Sequence, residues 1–282
     1  MKLLVTGAAG MLGRDVLLAA GNAGHDVVGY RRAELDVTNP GTLDRKLDLE
    51  RPDVVINCAA WTDVDGAETA EEAAFAVNGS GAGNIAAAAA KVESGILHVS
   101  TDYVFDGLKG APYVESDQPA PLSAYGRTKL AGEEAVAAAN KRHFIVRSAG
   151  LYGLGGRNFV DTMLQLAQTR SEVTVVRDQI GSPTYTWHLA YGIVRLIEGI
   201  EYGIHHMAAA GQCSWYEFAR EIFEQAKVEC RVLSITSEEF GAAAPRPPFS
   251  ALASQREHAI RLPSWQDGLA GYLAQRQAEA SE

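Results

Sequence analysis

Tyr125 and Lys129 stand four residues apart in SAYGRTKLAGE, the stretch from Ser123 to Glu133. On a helix, residues at this spacing share a face. A tyrosine that gives up a proton near neutral pH needs its pKa lowered from about 10, at ~1.36 kcal/mol per unit. A lysine ammonium about 4 Å away is worth about 4 kcal/mol at an effective dielectric near 20, roughly three units before desolvation opposes it. In a chain with ten tyrosines the spacing alone carries little, and a packed tyrosine beside a solvated lysine is the plain alternative. Position adds weight. The pair opens a helix that follows the strand ILHVS, near the carboxyl ends of parallel strands, where open α/β sheets bind ligands.

A second constellation precedes it. GAAGMLG puts Gly7, Gly10 and Gly13 after an apolar strand and at the start of a helix. Gly7 permits the tight turn, Gly10 lets backbone approach a pyrophosphate, and Gly13 lets the helix pack closely, while the helix N-terminus offers N–H donors. The alternative is a glycine-rich strand-to-helix turn with no ligand. Strand, helix and spacing together favour dinucleotide binding. The end of the second strand, where an acidic residue would hold a ribose 2′-OH, reads Tyr30, Arg31, Arg32. Arginine there can meet a 2′-phosphate, which favours NADPH over NADH, with ordinary solvated charge as the other reading. Asp36 and Val37 are placed to border the adenine; Asp36 equally suits a helix-entry turn. In HVSTDYVFDG, Ser100 and Thr101 end a strand, where a hydroxyl can orient a substrate carbonyl.

The elements needed to hold these groups follow from the hydrophobic pattern. KLLVT, DVVGY, VVINCAA, ILHVS and HFIVR are apolar runs that alternate with helical segments. Such strands imply a parallel sheet covered on both faces: an α/β, Rossmann-type, doubly wound fold over residues 1–150. Asn39 and Pro40 suit the N-cap and first residue of the helix LDRKLDLE, and AETAEEAAFAVNGSGAGNIAAAAA reads as one long helix. Residues 151–282 read as a smaller, mainly substrate-binding lobe containing VTVVRD and RVLSIT, with a segment near 178–200 returning to the first lobe. The terminal QAEASE is expected to fray.

The chain of 282 residues is 47% hydrophobic with a net charge of −10. That charge, with no Lys/Arg cluster, argues against nucleic acid. The apolar run at the N-terminus is too short for a signal peptide, no later stretch approaches a membrane span, and the expected location is the cytoplasm. Cys58, Cys213 and Cys230 lack CxxC spacing, so neither a disulfide framework nor a cysteine-rich zinc site is indicated. Adjacent His205 and His206 converge poorly on one ion; His25 and His188 read as structural, as does His98.

STDYVFDG followed by APLSAYGRTKLAGE resembles the dTDP-4-dehydrorhamnose reductase family, within the extended short-chain dehydrogenase/reductase superfamily. RPDVVINCAAWTDVDGAE, RNFVDTML and DQIGSPT agree, and the resemblance runs from about residue 1 to 265. It implies NAD(P)H-dependent reduction of the 4-keto group of a nucleotide-linked 6-deoxyhexose. Tyr125 would then protonate the emerging alkoxide, Lys129 would lower its pKa and hold the nicotinamide ribose, and Thr101 would bind the carbonyl oxygen. Gly10, Met11 and Leu12 would meet the pyrophosphate; Ala60, Trp61, Thr62 and Val99 would line the cofactor, and Asp102 would lie beside the sugar. A homodimer is implied by resemblance alone. Two positions depart from the pattern. Gly150 stands where the family usually has a sugar-facing tryptophan, leaving nothing there to stack, and Phe249 in RPPFSAL replaces an asparagine. A reductase or epimerase of another nucleotide sugar is one alternative. A non-catalytic subunit resembling the regulatory subunit of methionine adenosyltransferase is another, disfavoured because Thr101, Tyr125 and Lys129 are all retained.

Overall fold

The computed structural model describes residues 1–279. In chain order the first elements are β1 (Lys2–Thr6), α1 (Met11–Asn22), β2 (Asp26–Tyr30), α2 (Pro40–Glu50), β3 (Val54–Asn57), α3 (Val64–Thr69), α4 (Glu71–Phe75), α5 (Ala82–Lys91), β4 (Gly95–Thr101), α6 (Ala124–Ala139) and β5 (His143–Ser148). There follow β6 (Leu151–Tyr152), α7 (Phe159–Ala167), β7 (Glu172–Val176), β8 (Ile180–Gly181), β9 (Thr184–Tyr185), α8 (Thr186–Ile197), β10 (Gly203–His206), β11 (Cys213–Ser214), α9 (Trp215–Ala226), β12 (Arg231–Ile235), α10 (Ser237–Phe240) and α11 (Trp265–Glu279).

Six parallel strands form one sheet in the order β10-β5-β4-β3-β1-β2. Alternate residues of each strand enter different cores, which is why the strands are apolar throughout. Leu3, Val5, Ile56, Phe144 and Val146 pack with α1 and α8; Leu4, Val55, Ile96 and Ile145 pack with α2, α5 and α6. After β1 the chain first adds β2 on one side and then β3 on the other, so the sheet has a switch point between β1 and β3. A crevice opens at such a point.

Asn39 caps α2 by accepting the Thr42 N–H, with Pro40 as the first helical residue. The segment read as one long helix is instead α3, α4, a π-helical turn over Ala76–Gly81, and α5. The turn presents Asn78 inward, where its side chain bonds Trp61 and Thr128. A π-turn inserts one residue into the helical repeat, and tertiary bonds of this kind offset the weaker local geometry.

The remaining elements build a second core from aromatic residues, among them Tyr152, Tyr185, Phe218, Trp265 and Tyr272. VTVVRD and RVLSIT meet as the parallel pair β7 and β12. The chain returns to the first sheet through α8 and β10. No helix among the described residues is long and apolar enough to cross a membrane. Of QAEASE, residues 277–279 continue α11; residues 280–282 lie outside the described residues.

Candidate active site

A cleft of about 800 Å³ runs along the carboxyl ends of β1, β3 and β4 and reaches into the second core's loops. Gly7 turns the chain at φ +67°. A Cβ there would lie 2.7 Å from the backbone of Cys58 and Ala59, so the loop sits directly against the end of β3. The first turn of α1 has neither a side-chain cap nor an acidic residue. Its N–H groups, beside exposed Ala9 and Gly10, therefore suit an anion.

Gly7, Gly10, Met11, Leu12 and Gly13 all border the cleft, as do Arg31, Asp36 and Val37. Asp36 also serves as a turn residue: its carboxylate accepts from the Thr38 N–H and hydroxyl, and these bonds hold it below the usual carboxylate range. Asp36 is thus a turn residue that also borders the cleft. Tyr30 requires correction. It is absent from the cleft wall; its hydroxyl donates to Glu50 and Lys46 lies over its ring, because its side chain packs beneath α2. Its backbone carbonyl does support the loop, accepting the Ala8 N–H at 3.2 Å.

Ala60, Trp61 and Thr62 follow β3 along the same wall. Asn78 holds this segment through both backbone groups of Trp61, accepting from its N–H at 2.8 Å and donating to its carbonyl at 3.1 Å. Sequence periodicity carries no sign of this clamp.

Helix α6 starts at Ser123, whose hydroxyl accepts the Gly126 N–H. It is fixed to the sheet by Glu133, which bonds Arg147 of β5 at 2.6 Å and accepts the Ser100 hydroxyl of β4 at 2.5 Å. The ion pair is almost fully buried. Loss of either partner would strand a charge, at about 3–5 kcal/mol. Ser100 thus serves this anchor from the cleft's edge.

The anchor brings Tyr125 and Lys129 to the cleft with Val99, Thr101 and Asp102. The electrostatics differ from the simple pair. Burial pushes Tyr125 up to about 12, opposed by a hydrogen bond with Thr101, and Lys129 is not among the groups acting on it. Burial pushes Lys129 down to about 8, opposed by Glu133 and Cys58. Its Nζ donates to the Val99 carbonyl at 2.6 Å. For both groups desolvation is the largest effect. Asp102 is 4% exposed. Burial raises its carboxyl to about 6, against hydrogen bonds from Ser250 and Thr101.

Ser250 donates to Asp102 at 2.5 Å from a segment late in the chain. The RPPFSAL motif was its only trace in the sequence. Phe249 pairs with Ile180, which borders the cleft, while Phe249 itself does not. At Gly150 the expected gap is filled: a Cβ there would meet Trp215 Cη2 at 3.4 Å, and Trp215 borders the cleft, tilted against Phe159. An aromatic surface is therefore present, supplied from α9. With φ at +53°, position 150 also strains any side chain but glycine. Tyr103, Phe159, Trp215 and Ser250 are wall residues that sequence reasoning missed.

His205 and His206 engage backbone carbonyls of Glu201, Tyr113 and Ala253. Among the described residues no group of three or more His, Cys, Asp or Glu is arranged to hold a metal ion.

Residues 1–278 match the family model described as the RmlD substrate binding domain. The chain is 41% identical to a dTDP-4-dehydrorhamnose reductase of Mycolicibacterium smegmatis, over 97% of this chain and 85% of the relative. It is 43% identical to a dTDP-4-keto-6-deoxy-D-glucose reductase of Streptomyces niveus, over 89% and 88%. It also resembles the crystal structure of dTDP-4-dehydrorhamnose reductase from Bacillus anthracis in complex with NADP, with a TM-score of 0.95, 39% identity, and coverage of 97% and 99%. A glycine loop at the switch point, a Thr/Tyr/Lys cluster beside it and a match along nearly the whole length agree: the chain belongs to the dTDP-4-dehydrorhamnose reductase family of Rossmann-type extended short-chain dehydrogenases.

Proposed function

We propose that this protein is a cytoplasmic NADPH-dependent oxidoreductase that reduces the 4-keto group of a dTDP-linked 6-deoxysugar, converting dTDP-4-dehydro-L-rhamnose to dTDP-L-rhamnose. The observation that carries this reading is the meeting of Thr101, Tyr125 and Lys129 in the same cleft as the uncapped N-terminus of α1. The cofactor fits that half of the cleft: Gly10, Met11 and Leu12 would take its pyrophosphate, Arg31 its 2′-phosphate, and Lys129 its nicotinamide ribose. NADPH supplies the hydride. NADH is the weaker alternative, since Arg31 and Arg32 border the cleft where an acidic residue would suit a ribose hydroxyl.

Thr101 orients the carbonyl oxygen, and Tyr125 gives its phenolic proton to that oxygen as the alkoxide forms. A phenol with a pKa near 12 remains a stronger acid than the sugar alcohol it produces, so the elevated value is compatible with this task. The Lys129 ammonium, when protonated, stabilises the resulting phenolate. Asp102 and Ser250 would meet sugar hydroxyls, and Trp215 and Phe159 would supply an apolar wall of the same cleft.

The test is a panel of nucleotide 4-keto sugars assayed with NADPH and NADH, using the native protein and Tyr125→Phe. Turnover of dTDP-4-dehydrorhamnose that falls about 10²–10⁴-fold in the variant, with NADPH binding retained, is expected. Turnover confined to another sugar would replace the substrate. Cofactor binding with no turnover on any sugar would overturn the enzymatic reading.

A further inference from the structure

A row of buried polar groups crosses three strands beneath the cleft and ends at Lys129. Thr6, Asn57 and His98 are in register on β1, β3 and β4. They are 0%, 1% and 0% exposed. Donor and acceptor identities along this row are set from one end. Asn57 Oδ1 accepts the Ala59 N–H at 3.3 Å and the Thr6 hydroxyl at 2.6 Å. A backbone N–H can only donate, so the amide oxygen must face Ala59 and the amide nitrogen must face His98. That nitrogen lies 3.0 Å from His98 Nδ1, which therefore carries the lone pair. Burial holds the imidazole well below its usual pKa. A neutral imidazole that accepts at Nδ1 carries its hydrogen on Nε2, and Nε2 lies 3.4 Å from Lys129 Nζ.

The orientation has a consequence for the lysine. An Nε2–H facing an ammonium opposes donor to donor, whereas an Nε2–H facing a neutral amine meets a lone pair. We propose that His98, locked by Asn57 as its Nε2–H tautomer, is a positioning residue that biases Lys129 toward the neutral amine and so sets the pH range in which Lys129 supports Tyr125. The proposal rests on the role assigned to Lys129 under Proposed function. The other titratable groups acting on Lys129 are Glu133 on its own helix and Cys58 from the end of β3, and Tyr125 borders the same cleft. Glu133 is engaged by Arg147 and Ser100, and burial holds Cys58 as a thiol. Lys129 Nζ also donates to the Val99 carbonyl at 2.6 Å, a bond that ammonium and amine can both make, so His98 is the neighbour whose hydrogen placement distinguishes the two forms.

The Ala59 N–H that begins the row lies against Gly7.

Two measurements test the proposal, and the first needs no turnover. Nitrogen-15 NMR of the imidazoles in the native protein, with His98 assigned by loss of its signals in His98→Gln, should show His98 protonated at Nε2 and bare at Nδ1. The reverse pattern would overturn the proposal whether or not the substrate assignment holds. In Asn57→Asp, a carboxylate still accepts from Ala59 and Thr6 but now accepts from His98 Nδ1–H as well. That inverts the tautomer and lets Nε2 accept from the ammonium. The alkaline limb of the kcat profile should then move upward by about one pH unit. An inverted tautomer with an unmoved limb would refute the coupling.

Discussion

The closeness of the nucleotide loop to α1 can be tested by placing one methyl group at three glycines. Gly13 and Gly21 both lie in α1. A Cβ on Gly13 would come within 2.3 Å of the Gly7 carbonyl oxygen and 2.9 Å of Ala8 Cα, whereas one on Gly21 would meet nothing within 4 Å. Replacing a helical glycine by alanine contributes about 0.5–1 kcal/mol when the space is open. Forcing a methyl into packed backbone costs about 1–3 kcal/mol. Gly21→Ala should therefore gain stability, and Gly13→Ala should lie about 1–3 kcal/mol below it. In a chain of this size that is roughly 2–4 °C in Tm per kcal/mol. The strained carbonyl belongs to the loop that would cradle the pyrophosphate, so Gly13→Ala should also weaken NADPH by tenfold or more, about 1.4 kcal/mol. Gly10→Ala separates the two effects. Its added Cβ would have only the Gly7 oxygen nearby, at 3.4 Å, so the fold should keep its stability while NADPH affinity falls. The assays are thermal melts without nucleotide and fluorescence titration with NADPH. A Gly13→Ala protein as stable as Gly21→Ala, with native NADPH affinity, would refute the reasoning.

Two further outcomes follow from charges at the cleft. Arg32 pairs with Asp36 at 3.8 Å, while the Arg31 guanidinium has no ion pair among the described residues, so Arg31→Ala should erase most of a preference for NADPH over NADH. A ratio of kcat/KM values unchanged between the two cofactors would make Arg31 a surface charge only. Asp102 has its carboxyl raised from 3.8 to about 6 by burial, so the folded protein holds that proton more tightly than the unfolded chain. This contribution to stability is complete below about pH 4 and is lost as pH rises through about 6, a difference of up to about 3 kcal/mol. Asp102→Asn should therefore look several degrees more favourable in Tm, relative to the native protein, at pH 8 than at pH 4.5; a difference independent of pH would show that ionised Asp102 is not penalised.

Periodicity and short-range chemistry made the sheet, the glycine loop and the Tyr125/Lys129 pair legible in the sequence. Strands such as KLLVT are apolar at every position because Leu3 and Leu4 enter opposite cores, and this leaves a local pattern. So does the cap at Asn39, whose bond reaches only to Thr42. The exceptions were places where a tertiary partner overrode the local pattern. Asn78 breaks a helical run because it must clamp Trp61, and Tyr30 leaves the cleft because Glu50 offers its hydroxyl a partner.

By itself, the sequence determined which residue types were available for chemistry and the order in which strands and helices present them. Only the tertiary structure decided who their neighbours are. Ser250 reaches Asp102 across 148 positions, Trp215 of α9 fills the space beside Gly150, and strand register sets Asn57 against His98 beneath Lys129. Such meetings have no period to detect. They arise from contacts between segments distant along the chain, and the same burial that brings Tyr125 and Lys129 together shifts each away from its charged form.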